Sequence, residues 1–380
     1  MTWLIRPGEL TLKGGNRKAF ETVLKRNLHA MLKGRDVQIV LRNGRIYAHG
    51  PENCREAVEN ALSRLIGISG WALTGSFTKT VEAVVEACKE EGRKLQAQGI
   101  ATFKIEARRT DKSFPIDSYA LRCKCGEAVL DAAGSMKVDV HNPQAVIHIE
   151  IREKAYVYGM DNKGIGGLPV GTAGRGLLLL SGGIDSPVAG FLMATRGMGI
   201  DAVHFHAYPY TSAEAKEKVV RLAKLLGAYT LGVRLFIVGF TKVQLRIKEA
   251  APPAWATVLL RMAMMDCAQK IARKIKSKCL ITGESLSQVA SQTIENLTCT
   301  QSRITIPVLR PLIGADKDSI TVKAKQIGTY STSIEPYEDC CVLFSPPHPI
   351  LRGDPVEAIA LYESLELEPL IEEALILCHS

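Results

Sequence analysis

Residues 177–188, with the sequence LLLLSGGIDSPV, constrain the fold more than any other stretch of the chain. The apolar run Leu177–Leu180 is typical of a parallel strand that is buried on both faces. Pro187 suits the first turn of a helix, because its missing N–H would be unpaired there anyway. The glycine loop between them lets main-chain N–H groups approach an anion, and the helix dipole favours phosphate. The stretch therefore predicts a phosphate-binding loop at the carboxyl end of a buried strand.

Two other motifs of this kind are excluded by inspection. A Walker A loop needs a Gly-Lys dipeptide, which occurs nowhere in the chain. A nucleophile elbow needs glycine two residues before its serine, and Leu179 occupies that position before Ser181. We therefore interpret Ser181 as a phosphate ligand rather than a covalent nucleophile.

Charge is distributed unevenly along the chain, whose formal net charge is +9 and whose pI is about 9.0. Residues 1–176 hold 27 Lys and Arg against 19 Asp and Glu, residues 177–340 hold 20 against 13, and residues 341–380 hold 1 against 7. Two basic regions followed by an acidic one indicate a polyanionic partner held by the first two. The charge alone is weak evidence, because many basic proteins bind no nucleic acid.

Length and composition indicate a globular protein of two or three domains. The chain has 380 residues, of which 46% are hydrophobic and 23% are charged, and a domain takes ~150 residues. No apolar run reaches the ~18 residues of a membrane span, and no secretory leader pattern is present. Ten cysteines in such a chain indicate reduced thiols rather than a disulfide framework. We therefore expect a cytoplasmic protein with no membrane partner.

The sequence pattern of the first 160 residues predicts small α+β modules. Asn43-Gly44, between two apolar runs within 37–47, is the strongest two-residue signal for a hairpin. A helix is predicted from Asn16, as its N-cap, to about Leu32. Further helices are predicted near 54–65, 80–97 and 118–133. Further strands are predicted near 71–77, 102–108, 145–151 and 154–160.

Glycines and other helix breakers crowd residues 162–176, which predicts a linker. Strands and helices alternate beyond it, which favours an α/β doubly wound parallel sheet with its ligand at the carboxyl ends of the strands. The predicted strands cover 177–180, 200–206, 229–238, 278–282 and 304–308. The predicted helices cover 187–196, 213–226, 254–276, 286–297 and 317–327. Thr211 and Glu214 have capping-box spacing for the second of these helices, and Gly227 suits its C′ position.

Three further strand ends are expected to meet at the same crevice. His204 and His206 flank the end of the second strand, where they can be either structural histidines or nucleotide contacts. Gly283 follows another strand, and its missing side chain lets a nucleotide approach the main chain. Lys317 begins a helix, where a cation opposes the dipole, so we interpret it as a ligand of substrate or phosphate.

Cations near the N-terminus suit phosphate contacts. Arg17 and Lys18 fall in the first turn of a predicted helix, where an outside anion such as an RNA phosphate would offset the dipole. The stretch 102–115, TFKIEARRTDKSFP, sets cations beside Ser, Thr and Phe114 at a strand end, which suits phosphate contacts and stacking. A solvated charged face is the alternative interpretation. The RNA-contact residues predicted in this part of the chain are Lys13, Arg17, Lys18, Lys104, Arg108, Arg109 and Lys112.

Cys340 and Cys341 adjoin a proline-rich loop, so a thiol there can be accessible. The acids at 338 and 339 would raise a thiol pKa unless cations approach in the fold. A metal site is disfavoured, because the chain has no Cys-x-x-Cys pair and Cys123-Lys124-Cys125 lacks the usual ligand spacing.

Taken together, the chain resembles the tRNA 4-thiouridine synthetase family, which combines a THUMP domain with a PP-loop ATP-pyrophosphatase. Four features in the family's order carry the resemblance. They are GEL…LKGGNR at 8–17, the stretch 102–115, the loop 181–186, and the motifs at 310–317 and 335–341. The resemblance implies a ferredoxin-like domain (1–51), a THUMP RNA-binding domain (52–162), a linker (163–176) and a PP-loop, adenine-nucleotide α-hydrolase-like domain (177–380).

The resemblance also implies the activity. ATP adenylates O4 of uridine 8 in tRNA and releases pyrophosphate, and a cysteine persulfide then delivers sulfur to give 4-thiouridine. Asp185 would position Mg²⁺ or pyrophosphate, Lys317 would stabilise charge in the adenylation step, and Cys340 would carry the persulfide. The ATP contacts expected from the resemblance are Leu180, Ser181, Gly182, Gly183, Asp185, Ser186, His204, Phe205, His206, Arg261, Gly283 and Gln288.

Two departures from longer relatives affect the sulfur route. Too few residues follow Cys341 in this sequence for the rhodanese domain of those relatives, so we expect a cysteine desulfurase or another persulfide donor to charge Cys340 directly. The second, disulfide-forming cysteine has no counterpart within 204–210. Cys341 or another cysteine can replace it, or the persulfide can attack directly. The resemblance further allows a homodimer and sulfur donation to thiamine thiazole.

Two other functions remain as alternatives. A PP-loop amidotransferase or ligase acting on a small molecule would need no RNA, and it leaves the basic N-terminal modules unexplained. A non-catalytic RNA-binding module with a relict nucleotide fold is disfavoured by the presence of Asp185 and Lys317.

Overall fold

The computed structural model describes residues 1–9, 14–337 and 346–378. The chain divides into two compact units, Met1–Leu168 (unit 1) and Pro169–Ser380 (unit 2). In the described parts of the chain, no helix has both the length and the apolar character that a membrane span requires.

Unit 1 is built on one nine-stranded sheet in the order β2-β3-β1-β4-β8-β7-β5-β6, with β9 also pairing with β4. Its strands are β1 (Thr2–Pro7), β2 (Gln38–Arg42), β3 (Arg45–His49), β4 (Ile68–Phe77), β5 (Thr102–Arg109), β6 (Lys137–Val138), β7 (Ala145–Ile151), β8 (Ala155–Tyr158) and β9 (Asn162–Lys163). Strand β5 runs parallel to both of its neighbours, and the other pairs are antiparallel.

Four helices cover the sheet of unit 1 and close two hydrophobic cores. They are α1 (Arg17–Met31), α2 (Arg55–Arg64), α3 (Val81–Ala97) and α4 (Ser118–Ala132). Helices α1 and α2 bury the side chains of β1 and β3, whereas α3 and α4 bury those of β5 and β7. The predicted hairpin is confirmed. Asn43 and Gly44 both adopt positive φ, 45° and 72°, as a two-residue hairpin turn requires.

The predicted linker begins as part of the sheet of unit 1. Residues Asn162–Lys163 pair with β4, and the N–H groups of Gly164 and Gly166 donate to the carbonyls of Ser69 and Ile68 at 3.0 and 2.8 Å. Main-chain pairing rather than composition therefore decides where unit 1 ends. The domain boundaries drawn from the sequence stay predictions.

Unit 2 contains the predicted doubly wound sheet. Its five parallel strands are ordered β12-β11-β10-β13-β14. They are β10 (Arg175–Leu179), β11 (Gly199–His206), β12 (Leu235–Gly239), β13 (Leu280–Ile281) and β14 (Val308–Leu309). The glycine-loop strand β10 is central, as expected for a strand of leucines buried on both faces.

Two layers of helices enclose this sheet. One layer packs around α5, and the other packs around the long helix α8. The helices are α5 (Asp185–Thr195), α6 (Ala213–Thr230), α7 (Thr241–Ala250), α8 (Ala256–Lys274), α9 (Ile294–Gln301), α10 (Lys317–Gln326), α11 (Tyr330–Ser333), α12 (Pro355–Ser364) and α13 (Glu368–Ile376).

Two predicted features of α6 are wrong. The helix continues past Gly227 to Thr230, and Leu231 caps it in the left-handed conformation with φ 63°. Packing extends the helix, because the Tyr229 ring meets Phe191 of α5 edge-on, 5.2 Å between ring centroids. At the other end Ser212, not Thr211, is the N-cap, and its side chain accepts from the N–H of Ala215.

The helix predicted at 286–297 is also wrong in its first half. The chain instead forms a loop with a short 3₁₀ turn (Ala290–Gln292) before α9 begins at Ile294. Gln292 stabilises this loop, since its side-chain oxygen accepts from the N–H of Ser285 and its carbonyl accepts from the N–H of Ser287. The strand predicted at 229–238 begins only at Leu235, since α6 takes up its first residues.

The amino-terminal end of the sheet of unit 2 is held by a charge cluster around Asp201. Arg175 donates to its two carboxylate oxygens at 2.9 and 2.6 Å, and Arg234 donates at 3.0 and 2.9 Å. Burial of Asp201 opposes ionisation, but these hydrogen bonds and charges outweigh it and hold the carboxyl pKa below its ordinary value. The cluster therefore ties three neighbouring strands together only while the carboxylate is ionised.

We expect Asp201→Asn to lower the free energy of unfolding of unit 2 by about 1–3 kcal/mol, since both half-exposed guanidiniums can rehydrate. Because the folded-state pKa is depressed, the wild-type contribution is present above about pH 4 and is lost as the pH falls further. Urea denaturation at pH 7 and pH 3 measures the difference. The exposed Glu249→Gln is the control, and an equal effect of both substitutions would contradict the prediction.

Candidate functional site

The glycine loop is closed by serine hydroxyls. The Ser186 hydroxyl accepts from the N–H of Ser181 at 3.0 Å and lies 3.1 Å from the Ser181 hydroxyl. The N–H of Gly183 donates to the Ser181 Oγ at 3.3 Å. The loop is therefore preorganised at the N-terminus of α5, where main-chain N–H groups and the helix dipole favour an anion.

Asp185 joins three distant parts of unit 2. Its carboxylate accepts from Lys317 Nζ at 2.7 Å and from Gln288 Nε2 at 2.9 Å. Lys317 is the first residue of α10, and Gln288 lies in the loop before α9. The first turn of α5 thus carries a carboxylate paired with a half-exposed ammonium.

Gly283 allows two strand-end loops to touch. A Cβ atom at this position would lie 2.7 Å from the main-chain N of Ser186 and 2.9 Å from the carbonyl carbon of Asp185. Both atoms belong to the main chain and cannot rotate away. The sequence predicted that a nucleotide approaches the main chain at Gly283, which stays a prediction, whereas the structure shows the main chain of the glycine loop next to Gly283.

The two histidines of β11 have different surroundings. The buried His204 donates from Nδ1 to the Leu180 carbonyl, 3.1 Å away, which leaves Nε2 as an acceptor in the neutral ring. His206 Nδ1 lies 3.0 Å from the Thr211 hydroxyl. Burial and the charges of His204 and Lys216 lower the pKa of His206. The low pKa favours a neutral His206 ring at pH 7.

A buried charge cluster forms part of the same region. Glu284 binds Arg261 with one oxygen, and its other oxygen accepts from Arg310 Nε at 2.6 Å and from the Thr282 hydroxyl at 2.8 Å. Burial favours the neutral acid, but the two guanidiniums outweigh it and hold the Glu284 pKa below its usual range. One carboxylate between two guanidiniums leaves a net positive charge, and part of Arg261 remains exposed.

These groups line a cavity of about 410 Å³, within the usual size range of small-molecule sites. The lining contains both polar and apolar residues. The polar lining residues are Ser181, Asp185, Ser186, His204, Arg261, Thr282, Gly283, Glu284, Gln288 and Gln292. The apolar lining residues are Leu179, Leu180, Val203, Phe205, Met264, Met265 and Val289.

The structure brings most of the predicted cavity residues together. Leu180, Ser181, Asp185, Ser186, His204, Phe205, Arg261, Gly283 and Gln288 form the wall. Gly182, Gly183 and His206 adjoin these residues in the chain, and Lys317 reaches the rim through Asp185. Their individual roles toward a ligand stay predictions.

Sequence reasoning missed eight residues of this wall, which are Leu179, Val203, Met264, Met265, Thr282, Glu284, Val289 and Gln292. The Thr-Gly-Glu order after β13 offered a signal for Glu284, because a carboxylate following a strand-end glycine faces the crevice. Met264 and Met265 carried no such signal, since methionines on a long apolar helix are more often core residues.

The predicted RNA contacts in unit 1 divide into two groups. Lys18, Arg108 and Lys112 are exposed. Arg17 pairs with Glu21, Lys104 pairs with Glu106, and Arg109 donates to the Phe114 carbonyl. Lys13, Cys340 and Cys341 lie outside the described residues.

The expectation that Phe114 stacks on a base is wrong. Its ring is 6% exposed and packs with Val81, Phe103 and Leu121 in the core beneath α3 and α4. The apolar contacts outweigh the polar neighbours of Phe114 in sequence, so its ring faces inward.

In the described parts of the chain, no three His, Cys, Asp or Glu side chains are placed to share a metal ion. The glycine loop, the parallel sheet and the cavity at the carboxyl ends of its strands define unit 2 as an α/β domain of the PP-loop class.

Comparison with protein families assigns a domain family to each of three parts of the chain. Residues 171–367 match the family described as thiamine biosynthesis protein (ThiI), residues 2–72 match the ThiI ferredoxin-like domain, and residues 78–159 match the THUMP domain. The chain therefore belongs to the ThiI family.

Individual relatives are similar to this chain over nearly its full length. A probable tRNA sulfurtransferase of Treponema pallidum (strain Nichols) is 49% identical over 98% of this chain and 93% of its own. A probable tRNA sulfurtransferase of Caldanaerobacter subterraneus subsp. tengcongensis is 45% identical over 97% of this chain and 96% of its own. The crystal structure of a 4-thiouridine synthetase–RNA complex with bound ATP is 37% identical, with a TM-score of 0.90 over 100% of this chain and 98% of that chain.

We expect Gly283→Ala to lower the free energy of unfolding by about 1–3 kcal/mol, the usual cost of overpacking. The new methyl group would force the Gly283 loop away from the main chain of Ser186. Thermal unfolding and a crystal structure of the variant measure both effects. Gly314→Ala is the matched control, because a Cβ at Gly314 meets nothing within 4 Å. Equal melting temperatures for both variants would refute the steric argument.

Proposed function

We propose that this chain is an ATP-dependent tRNA sulfurtransferase that converts uridine 8 of tRNA to 4-thiouridine. The observation that carries the proposal is the cavity joining the glycine loop, the Asp185–Lys317 pair and Arg261. The family membership and the 37% identity to a 4-thiouridine synthetase with RNA and ATP support the same activity.

In this proposal, ATP binds with its phosphates at the glycine loop and its adenine at apolar side chains. Its phosphates would lie at residues 181–186, where the N-terminus of α5 favours anions. Its adenine would lie against Phe205, Met264 and Met265, the apolar part of the wall. Glu284 holds the Arg261 side chain in place, so Arg261 adds a fixed positive charge beside the phosphates.

Mg²⁺ fits the donor set of this cavity. Mg²⁺ usually binds proteins through one or two carboxylates and takes its other ligands from phosphates and water. Asp185 offers such a carboxylate at the rim, whereas Glu284 is already neutralised by two guanidiniums. A bound Mg²⁺ would neutralise charge on the departing pyrophosphate.

The reaction needs two displacements on the substrates and a third that frees the product from Cys340. In the first, O4 of uridine forms a bond to the α-phosphorus of ATP, and the bond to pyrophosphate breaks, with Lys317 stabilising the developing charge. In the second, the terminal sulfur of a persulfide on Cys340 attacks C4, and AMP leaves. A second thiol then attacks Cys340 sulfur, which breaks the S–S bond, forms a disulfide with Cys340 and leaves sulfur on C4.

Three of the four described cysteines of unit 2 are unsuited to be that second thiol. Cys267, Cys279 and Cys299 are buried, and burial raises the pKa of Cys279 and of Cys299 to about 11. The fourth, Cys378, is half-buried, and like the other three it does not belong to the cavity wall. Cys341, Cys378 and an external thiol remain as candidates, and the persulfide is supplied by a cysteine desulfurase or another donor.

In this proposal, the basic N-terminal modules bind tRNA. Lys18, Arg108 and Lys112 are exposed, and phosphate contacts from such residues supply much of the affinity for nucleic acid. The reaction belongs in the cytoplasm, which the eight free cysteines among the described residues support.

The direct test is nucleoside mass analysis of tRNA incubated with the protein, ATP and a persulfide source. We expect 4-thiouridine at position 8, together with release of pyrophosphate that depends on tRNA. Asp185→Asn should lower both by about 100-fold or more, because the carboxylate that orders Lys317 and Mg²⁺ is lost. Equal pyrophosphate release without RNA would instead favour a PP-loop ligase acting on a small molecule.

Sulfur delivery is tested separately from adenylation. Cys340→Ser should abolish 4-thiouridine yet leave tRNA-dependent pyrophosphate release intact, since the proposed adenylation step does not use the sulfur of Cys340. Cys341→Ser is the matched control. Loss of thiolation in the Cys341 variant alone would assign the persulfide to Cys341.

A further inference from the structure

Two exposed tyrosines lie in the loop that joins strand β11 to helix α6. Tyr208 is 71% exposed and Tyr210 is 52% exposed. Single exposed apolar side chains are common on protein surfaces, but these two rings follow directly after a strand that forms part of the cavity wall. We call residues 207–211 the tyrosine loop.

The tyrosine loop is fixed by hydrogen bonds of its main chain. The N–H of Ala207 donates to the Thr211 hydroxyl at 3.0 Å, and the N–H of Thr211 donates to the Ala207 carbonyl at 2.9 Å. Between them, the Tyr208 carbonyl accepts from the Thr241 hydroxyl of α7 at 2.8 Å. The main chain of Tyr208 is therefore held in place while its ring stays in solvent. Such a ring binds a ligand at a small entropy cost, because only two side-chain torsions become ordered.

The tyrosine loop is a direct neighbour of the cavity. His204 and Phe205 belong to the cavity wall. The centroid of the His206 ring lies 6.3 Å from that of His204, and His206 Nδ1 lies 3.0 Å from the Thr211 hydroxyl. Three peptide units limit the Cα separation of Phe205 and Tyr208 to about 11 Å. Tyr208 itself is not part of the wall, so its ring is left for a group that enters the cavity from outside.

The cavity is open to solvent at the carboxyl ends of the strands. Val289, in the loop after β13, belongs to the wall and is half exposed, and the Lys317 side chain at the rim is also half exposed. The tyrosine loop follows β11, so it lies at the same end of the parallel sheet. A substrate that reaches ATP in this cavity therefore arrives on the side of the sheet that carries the two exposed rings.

Lys216 adds a positive charge beside the tyrosine loop. It is an exposed residue in the first turn of α6, and its charge contributes to the lowered pKa of His206. A cation in the first turn of a helix opposes the helix dipole, and an outside anion offsets both positive charges. Exposed aromatic rings next to a cation are typical of sites for unpaired nucleotides, in which bases stack on the rings and phosphates meet the cation.

We propose that Tyr208 stacks on the uridine that is to be adenylated, and that Lys216 binds a nearby phosphate of the same tRNA. The inference rests on the proposed function and adds a contact surface for the RNA on unit 2. O4 of the uridine has to reach the α-phosphorus of ATP inside the cavity, so the base must leave its stack in the tRNA. Unstacking is unfavourable, and an aromatic ring beside the cavity offsets part of that free energy by stacking on the extruded base.

Tyr208→Ala and Tyr208→Phe test the stacking, because phenylalanine keeps the aromatic face that alanine removes. We expect kcat/KM for tRNA in pyrophosphate release to fall about 5- to 100-fold in Tyr208→Ala, and less than about twofold in Tyr208→Phe, as for the loss of one base–aromatic stack. The KM for ATP and the melting temperature should stay unchanged in both variants, since the ring is exposed and lies outside the cavity wall.

Lys216→Met tests the phosphate contact. It should reduce the slope of log Kd for tRNA against log salt concentration by about one, which is the usual effect of losing one cation–phosphate contact. Fluorescence anisotropy of labelled tRNA at several KCl concentrations measures this slope. Lys224→Met is the matched control, because it removes an exposed cation about 12 Å further along α6 and should leave the slope unchanged. Equal slopes for Lys216→Met and the unaltered protein would overturn this contact.

Photo-cross-linking locates the base in the unaltered protein and does not depend on the folding of any variant. The probe is tRNA with 5-iodouridine at position 8, which is irradiated in complex with the protein and a non-hydrolysable ATP analogue. We expect the cross-linked peptide to contain Tyr208, because iodouracil bonds to an aromatic ring on which it stacks. A cross-link that maps outside the tyrosine loop would overturn the inference.

The kinetic outcomes separate this inference from the proposed function. Pyrophosphate release by the unaltered protein that needs no RNA would remove both. tRNA-dependent release with the same kcat/KM in Tyr208→Ala as in the unaltered protein would overturn the stacking role alone. A higher KM for ATP in Tyr208→Ala would assign the ring to adenine, and a loss of thiolation without any loss of pyrophosphate release would assign it to the persulfide donor. Either of these results would also overturn the inference.

Discussion

The contact between Gly283 and the main chain at Asp185–Ser186 is the constraint on which the cavity depends. Only hydrogen occupies the space where a Cβ atom would lie 2.7 Å from the Ser186 nitrogen. Because the two strand-end loops touch, Gln288 can reach across to the Asp185 carboxylate. The same approach brings Glu284 and its bound Arg261 to the cavity that the glycine loop lines. A side chain at position 283 would separate groups that the proposed chemistry needs together.

Three buried charged residues of unit 2 have different surroundings. Asp201 is held by two arginines at the amino-terminal end of the sheet, far from the glycine loop along β10, and serves to join strands. Glu284 is also held by two arginines, but at the cavity, where the surplus positive charge faces a ligand. Lys218 is also buried, but it binds two main-chain carbonyls instead of an acid. Position in the fold, rather than residue type, decides whether such a charge serves stability or chemistry.

Local signals predicted much of the fold, and they failed where distant contacts compete. The hairpin at Asn43-Gly44 and the strand–loop–helix at 177–188 formed as expected, because turn geometry and burial pattern act over a few residues. The end of α6 was missed because Tyr229 packs on Phe191, so the helix continues past a glycine that would otherwise end it. The loop before α9 was missed because Gln292 bonds to Ser285 and Ser287 in place of a regular helix. Phe114 was misjudged because its sequence neighbours are polar while its spatial neighbours are apolar.

The sequence by itself determined the class of fold, the glycine loop and the family resemblance, since these depend on residue order within short segments. Only the tertiary structure decided that Glu284 holds Arg261 at the cavity and that Lys218 binds the carbonyls of residues 335 and 337. Those pairs are separated by 23 and about 117 positions along the chain. No local propensity encodes such pairings, because they arise when packing of the sheet and its helices brings remote polar groups into a space where each must find a partner.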